Sequence, residues 1–167
     1  IKNNIVDCKT AAKLKIFISE IKDLINDIND SGLVGWIPNE KEFVDERCFY
    51  MLRDIREKWC TIFQEAFRII KEYHVFIEDY HMEKQRNTLI ALLNPLNIIS
   101  LMAARILDEM ENVKNGGNRD EEKFLDNMIE TLLKLVPLTT PALKSVIVNL
   151  YDMKEKMEAV NSIKSFQ

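Results

Sequence analysis

The chain has 167 residues, 47% hydrophobic and 30% charged, with a net charge of −4 at neutral pH. That length and balance describe one globular domain, not a disordered chain, and they leave no basic stripe of the kind that neutralises nucleic-acid phosphates. Only 4 Gly and 4 Pro argue against a turn-rich all-β fold, while abundant Leu, Ile, Lys, Glu and Met favour helices.

Residues 5 to about 30 form the first expected helix. Leu14, Phe17, Ile18, Ile21, Leu24, Ile25 and Ile28 step by three and four along one face. The run Asn29-Asp30-Ser31-Gly32 stops it. Residues 31–40 then form a loop holding two of the four glycines and Pro38. Its apolar members, Leu33, Val34, Trp36 and Ile37, read either as a plug folded back on the bundle end or as an exposed Trp-bearing tip.

From about Glu40 to His81 the helical pattern has no break. Val44, Cys48, Leu52, Ile55, Trp59, Ile62, Ala66, Ile70, Tyr73, Ile77 and Tyr80 keep a stepping close to a heptad. A single helix of that length would run roughly 60 Å. The polar segment His81-Met82-Glu83-Lys84-Gln85-Arg86 is the expected second turn.

Asn87 to Ala104 is the most distinctive stretch, 18 residues without a charge. Leu89, Ile90, Leu92, Leu93, Leu96, Ile98, Ile99, Leu101 and Met102 put apolar groups all round it. Such a segment reads first as a central helix wrapped by the other three, and second as a membrane-active element. Asn87, Asn94, Asn97, Ser100 and a break expected at Pro95 make it a poor membrane span. Asn115-Gly116-Gly117-Asn118 is the clearest turn in the chain.

The last helix opens on Asp120-Glu121-Glu122, acidic where the helix dipole prefers. Leu125, Met128, Ile129, Leu132 and Val136 make its stripe, and Leu143, Val146, Ile147, Leu150, Met153, Met157 and Val160 continue it. Pro137 and Pro141 are expected to interrupt it and to act as a hinge, with Thr140-Pro141 restarting the helix. The expected fold is therefore all-α, a single domain over residues 1–167. It is an antiparallel up-down four-helix bundle with long helices, the third and fourth kinked at proline.

No catalytic motif emerges, and the pattern points away from an enzyme. Cys48 and Cys60 lie 12 residues apart on one helix, about 18 Å, too far to pair. Folding the first hairpin about residue 35 sets Cys8 opposite roughly residue 62, so a Cys8–Cys60 disulfide fits a secreted protein. Three buried reduced thiols fit a cytosolic one. Glu78-x-x-His81 has the spacing of one arm of a di-iron bundle, but the position three before His74 is Lys71, so the second arm is missing. Gly116-Gly117 follows a helix and lacks the Lys-Ser/Thr of a phosphate loop. No cofactor, small-molecule substrate or nucleic-acid partner is expected. The expected partner is a membrane or an unidentified protein.

Ile, Lys and Asn contribute 20, 16 and 14 residues, a bias toward A/T-rich codons visible in IKNN at 1–4 and LINDIND at 24–30. With the bundle pattern along the whole chain and the uncharged stretch at 87–104, the sequence resembles the small helical-bundle micronemal proteins of malaria sporozoites needed for crossing host cells. That resemblance implies secretion from micronemes and a role in traversal at host cells beside separate pore-forming proteins. It carries over no functional residue. An intracellular or viral interaction module, Bcl-2-like or cytokine-like, is the alternative. The first residue, Ile1, implies a processed or cropped N-terminus.

Overall fold

The computed structural model describes residues 8–34, 47–116 and 119–165, which are helical apart from short turns. Among the described residues five helices follow in order: α1 (Cys8–Asp30), α2 (Arg47–Glu72), α3 (His74–Asp79), α4 (Glu83–Lys114) and α5 (Arg119–Ser165). The fold is all-α, in keeping with a four-helix bundle. α2 packs chiefly on α4, α4 on α5, and α1 against α5 and α2.

The α1 stripe is buried at every expected position from Leu14 to Ile28. Burial of such side chains, at about 1.5–3 kcal/mol each, selects this face. Past Asp30 the chain turns at Gly32, whose φ of +71° is a conformation glycine adopts without a Cβ clash. Ser31 Oγ donates to the Ile28 carbonyl at 2.6 Å and accepts from the Leu33 amide at 3.2 Å, which ties off the helix end. Leu33 is buried and Val34 packs beside the core, as the plug reading expects. Trp36 and Ile37 lie outside the described residues.

The long helix expected through His81 is divided. Tyr73 departs from helical geometry, with φ −110° and ψ 23°, and separates α2 from the short α3. Tyr73 N still donates to Ile69 O, and Ile77 N to Tyr73 O, each at 3.0 Å. The chain direction thus changes little, and Trp59, Ile62, Ala66, Tyr73 and Ile77 remain one buried stripe.

The second turn is shorter than the polar segment 81–86 suggests. His81 has φ +55°, its amide bonds Glu78 O at 3.2 Å, and the Met82 amide bonds Ile77 O at 2.9 Å. Those two bonds form the paired closure of a helix ending on a left-handed residue. Met82 follows into the core, fully buried, and α4 starts at Glu83. From α5, Lys156 Nζ donates to His81 O at 3.1 Å.

Pro95 lies inside α4, and Pro137 and Pro141 lie inside α5. The interruptions expected at these prolines do not occur, because the core stripe is continuous across them. Leu92, Leu96 and Ile99 bracket Pro95, and Val136, Leu143 and Val146 bracket the α5 pair, all buried. Their burial outweighs the missing proline amides, each of which costs about 3 kcal/mol in a helix interior.

Candidate functional site

The uncharged stretch 87–104 is not wrapped on all sides. Leu89, Leu92, Leu93, Leu96 and Ile99 point into the core and Met102 is half-buried against it. Ile90, Ile98 and Leu101 face outward at 44%, 50% and 61% exposure. Their spacing, with Asn94 between them, places them on one outward stripe. The reading of α4 as a fully enclosed central helix is therefore corrected: one face is core and one is open.

On the flank between those faces lies a cleft of about 540 Å³, shared with α5. Thr88, Ala91, Leu92, Asn94, Pro95, Ile98 and Ile99 supply one wall. Leu135, Leu138, Thr139, Ala142, Ser145 and Val146 supply the other. Pro95 thus faces the α5 segment that carries Pro137 and Pro141. None of the lining residues is charged. Two of the lining hydroxyls are engaged by their own helices: Thr88 Oγ1 donates to Lys84 O at 3.0 Å and Thr139 Oγ1 to Leu135 O at 3.1 Å. The lining presents almost only hydrocarbon.

Leu138, 75% exposed, stands at the mouth of the cleft opposite Ile98. Val148 and Tyr151 add exposed apolar area farther along α5. By length and composition α4 and α5 are both long and apolar enough to cross a membrane. Only 44% of the apolar 18-residue window of α4 is buried in the bundle, and 33% of that of α5. The polar residues that weigh against a span at 87–104 are present, but the break expected at Pro95 is not.

The α1/α2 side is built differently. Arg68 bonds Glu72 at 2.8 Å, Glu65 at 2.9 Å and Glu20 of α1 at 3.1 Å. The bond from Glu65, with those from Glu72 and Glu20, holds the guanidinium firmly charged and raises its pKa further. Burial, with the Glu20 carboxylate nearby, pushes the Tyr73 hydroxyl well above its ordinary value. Burial and the carboxylates of Glu65, Asp23 and Asp30 raise Asp27 above its ordinary 3.8. Arg68 fastens α1 to α2, and Asp27 lines a shallow charged recess with Asp30, Ser31, Glu57 and Lys58.

The cysteines do not come together as expected. Cys60 is a free, half-buried thiol. Its segment of α2, Glu57 to Ile62, lies beside Asp27, Asp30 and Ser31 at the end of α1, whereas Cys8 opens that helix. Some 20 residues of helix, about 30 Å, separate the two levels. The register assumed by folding the first hairpin about residue 35 is therefore shifted. The Cys8 and Cys48 side chains lie outside the described residues. His74 and His81 are exposed, and among the described residues no group of three His, Cys, Asp or Glu side chains is placed to hold a metal.

Sequence reasoning located α4 but missed the cleft. Its signal was the small residues Ala91, Ala142 and Ser145 at exposed positions, which leave the space between the helices unfilled. No protein-family model, curated protein or solved structure matches the chain.

Proposed function

We propose that this chain is a non-enzymatic helical-bundle protein that is secreted and acts at host cells, laying its α4/α5 face on a membrane during cell traversal. One observation carries the reading. Two adjacent helices, each apolar enough for a bilayer, turn Ile90, Ile98, Leu101 and Leu138 outward around an uncharged cleft. Large exposed apolar patches mark protein or membrane contacts. Secretion from micronemes rests on the sequence resemblance alone.

The bundle is taken to be antiparallel and up-down, with α4 and α5 bent at Pro95 and at Pro137 and Pro141. The order of cross-helix contacts supports the antiparallel arrangement. Phe17 meets Tyr73 while Asp30 lies near Lys58, and Arg105 sits over Phe124 while Lys156 reaches His81. Along each pair, one sequence ascends as the other descends. The proline-poor α1 and α2 would stay folded as a base while α4 and α5 make contact.

Cosedimentation with phosphatidylcholine/phosphatidylserine vesicles tests the reading. The natural sequence should bind, and Ile98→Glu combined with Leu138→Glu should weaken binding at least tenfold with the helical circular dichroism unchanged. No sedimentation on any lipid mixture, at neutral or acid pH, contradicts it. Saturable capture of a partner protein through the same face would favour the alternative, an intracellular or viral interaction module.

A further inference from the structure

We infer that the α4/α5 cleft is a binding site for a single acyl chain of a bilayer phospholipid. The inference rests on the membrane reading and names what that face takes up. Size discriminates between occupants. An α-helix is about 10 Å across with its side chains, so two turns need roughly 800 Å³, more than the 540 Å³ present. A hydrocarbon chain is about 4 Å wide, the contact distance between carbons, and one leaflet is about 15 Å deep, so a chain occupies on the order of 200 Å³. The cleft accepts one such chain.

Length agrees with size. On α4 the lining runs from Thr88 to Ile99, and on α5 from Leu135 to Val146. Each span rises about 16 Å, close to the depth of one leaflet. Chemistry agrees as well. At about 30 Å³ per molecule, water in the cleft would meet walls whose threonine hydroxyls are already bonded to their own helices. Such water is poorly held, and a hydrocarbon displaces it favourably.

Position supplies the route. Ile98 and Leu138 flank the mouth within the same outward face that would rest on the bilayer. A chain therefore enters from the leaflet without crossing water. Ala91, Ala142 and Ser145 keep the mouth open because their side chains are short.

The test uses palmitoyl-oleoyl phosphatidylcholine vesicles doped with a phosphatidylcholine carrying a diazirine in one acyl chain. Irradiation is followed by peptide mapping of the full chain. Crosslinks should fall on Ala91, Pro95, Ile98 and Ala142. Ala142→Leu, which fills the mouth from an exposed position, should reduce those crosslinks at least tenfold while the protein still sediments with vesicles. Ser145→Leu serves as a second filling variant if the first alters the helical spectrum. Sedimentation with crosslinks confined to Leu101 and Val148, or cleft crosslinks indifferent to both filling variants, overturns the inference and leaves the membrane reading standing. Failure to sediment overturns both. A stable dimer with a silent cleft assigns the face to a second copy and overturns the inference.

Discussion

Where α1 meets the α2/α3 segment, Phe17 stacks on Tyr73 at 4.3 Å with Phe76 beside them, and Arg68 spans three carboxylates. Where α4 meets α5, Arg105 lies over the Phe124 ring at one end, and three prolines, buried hydroxyls and an uncharged cleft occupy the rest. The first junction is specified by shape and charge, and the apolar groups its helices expose, Ile16, Tyr50, Phe67 and Val75, line no uncharged cleft. The second hides less of its apolar surface and leaves a gap. The same helical architecture thus holds a fastened side and an open side, and the open side is the one with surface to spare for a partner. Regions with few fastening contacts are also those that open at low cost.

Substitutions that test this contrast differ widely in expected size. Phe17→Ala on the fastened side should cost about 3–5 kcal/mol, since it empties a fully buried aromatic site. Leu138→Ala on the open side should stay within about 0.5 kcal/mol. Urea midpoints at constant slope measure both, and equal costs would erase the distinction. Pro141→Ala should stabilise the chain by about 1–2 kcal/mol, because an amide returns to bond Pro137 O while little packing is lost at an exposed position. Slower hydrogen exchange in α5 should accompany that gain.

A pH titration probes the fastened side. Asp27 titrates above its ordinary value in the folded state because burial and Glu65, Asp23 and Asp30 oppose its charge. The folded chain therefore binds this proton more tightly than the unfolded chain does. The resulting stability is present below the ordinary value of 3.8 and is lost as pH rises through the raised one. Asp27→Asn should melt at a higher temperature than the natural sequence at pH 7, with the advantage fading as the solution is taken below pH 3.8. A small gain belongs to His81→Gly, which removes a left-handed φ of 55° from a residue with a Cβ. A gain of about 0.5–1 kcal/mol in the urea midpoint is expected, since relief of strain exceeds the entropy cost of glycine.

Much of the helical pattern was legible because core faces repeat with the helix. Leu14 to Ile28, Leu52 to Ile77 and Leu132 to Met157 follow the expected stripes, except that Ile69 rather than Ile70 is the buried residue in α2 and Ile147 is only half-buried. The break at Tyr73 was not legible, since no Gly or Pro marks it and the buried stripe passes through. Prolines misled in the opposite sense. Pro95, Pro137 and Pro141 announce helix ends by their chemistry, yet the core on either side keeps the helices whole. Met82 was hidden among polar neighbours, and the folding point taken at residue 35 set the wrong part of α2 opposite Cys8. The cleft escaped because periodicity reports which face of a helix is inward and carries no information on the gap between two helices.

The most direct measurement is hydrogen exchange of the full chain with and without phosphatidylcholine/phosphatidylserine vesicles. If the open side is the working side, residues 87–104 and 132–151 should gain protection on adding vesicles, while α1 and the Arg68 segment of α2 keep their rates. Protection confined to α1 and α2, or none anywhere, would contradict it.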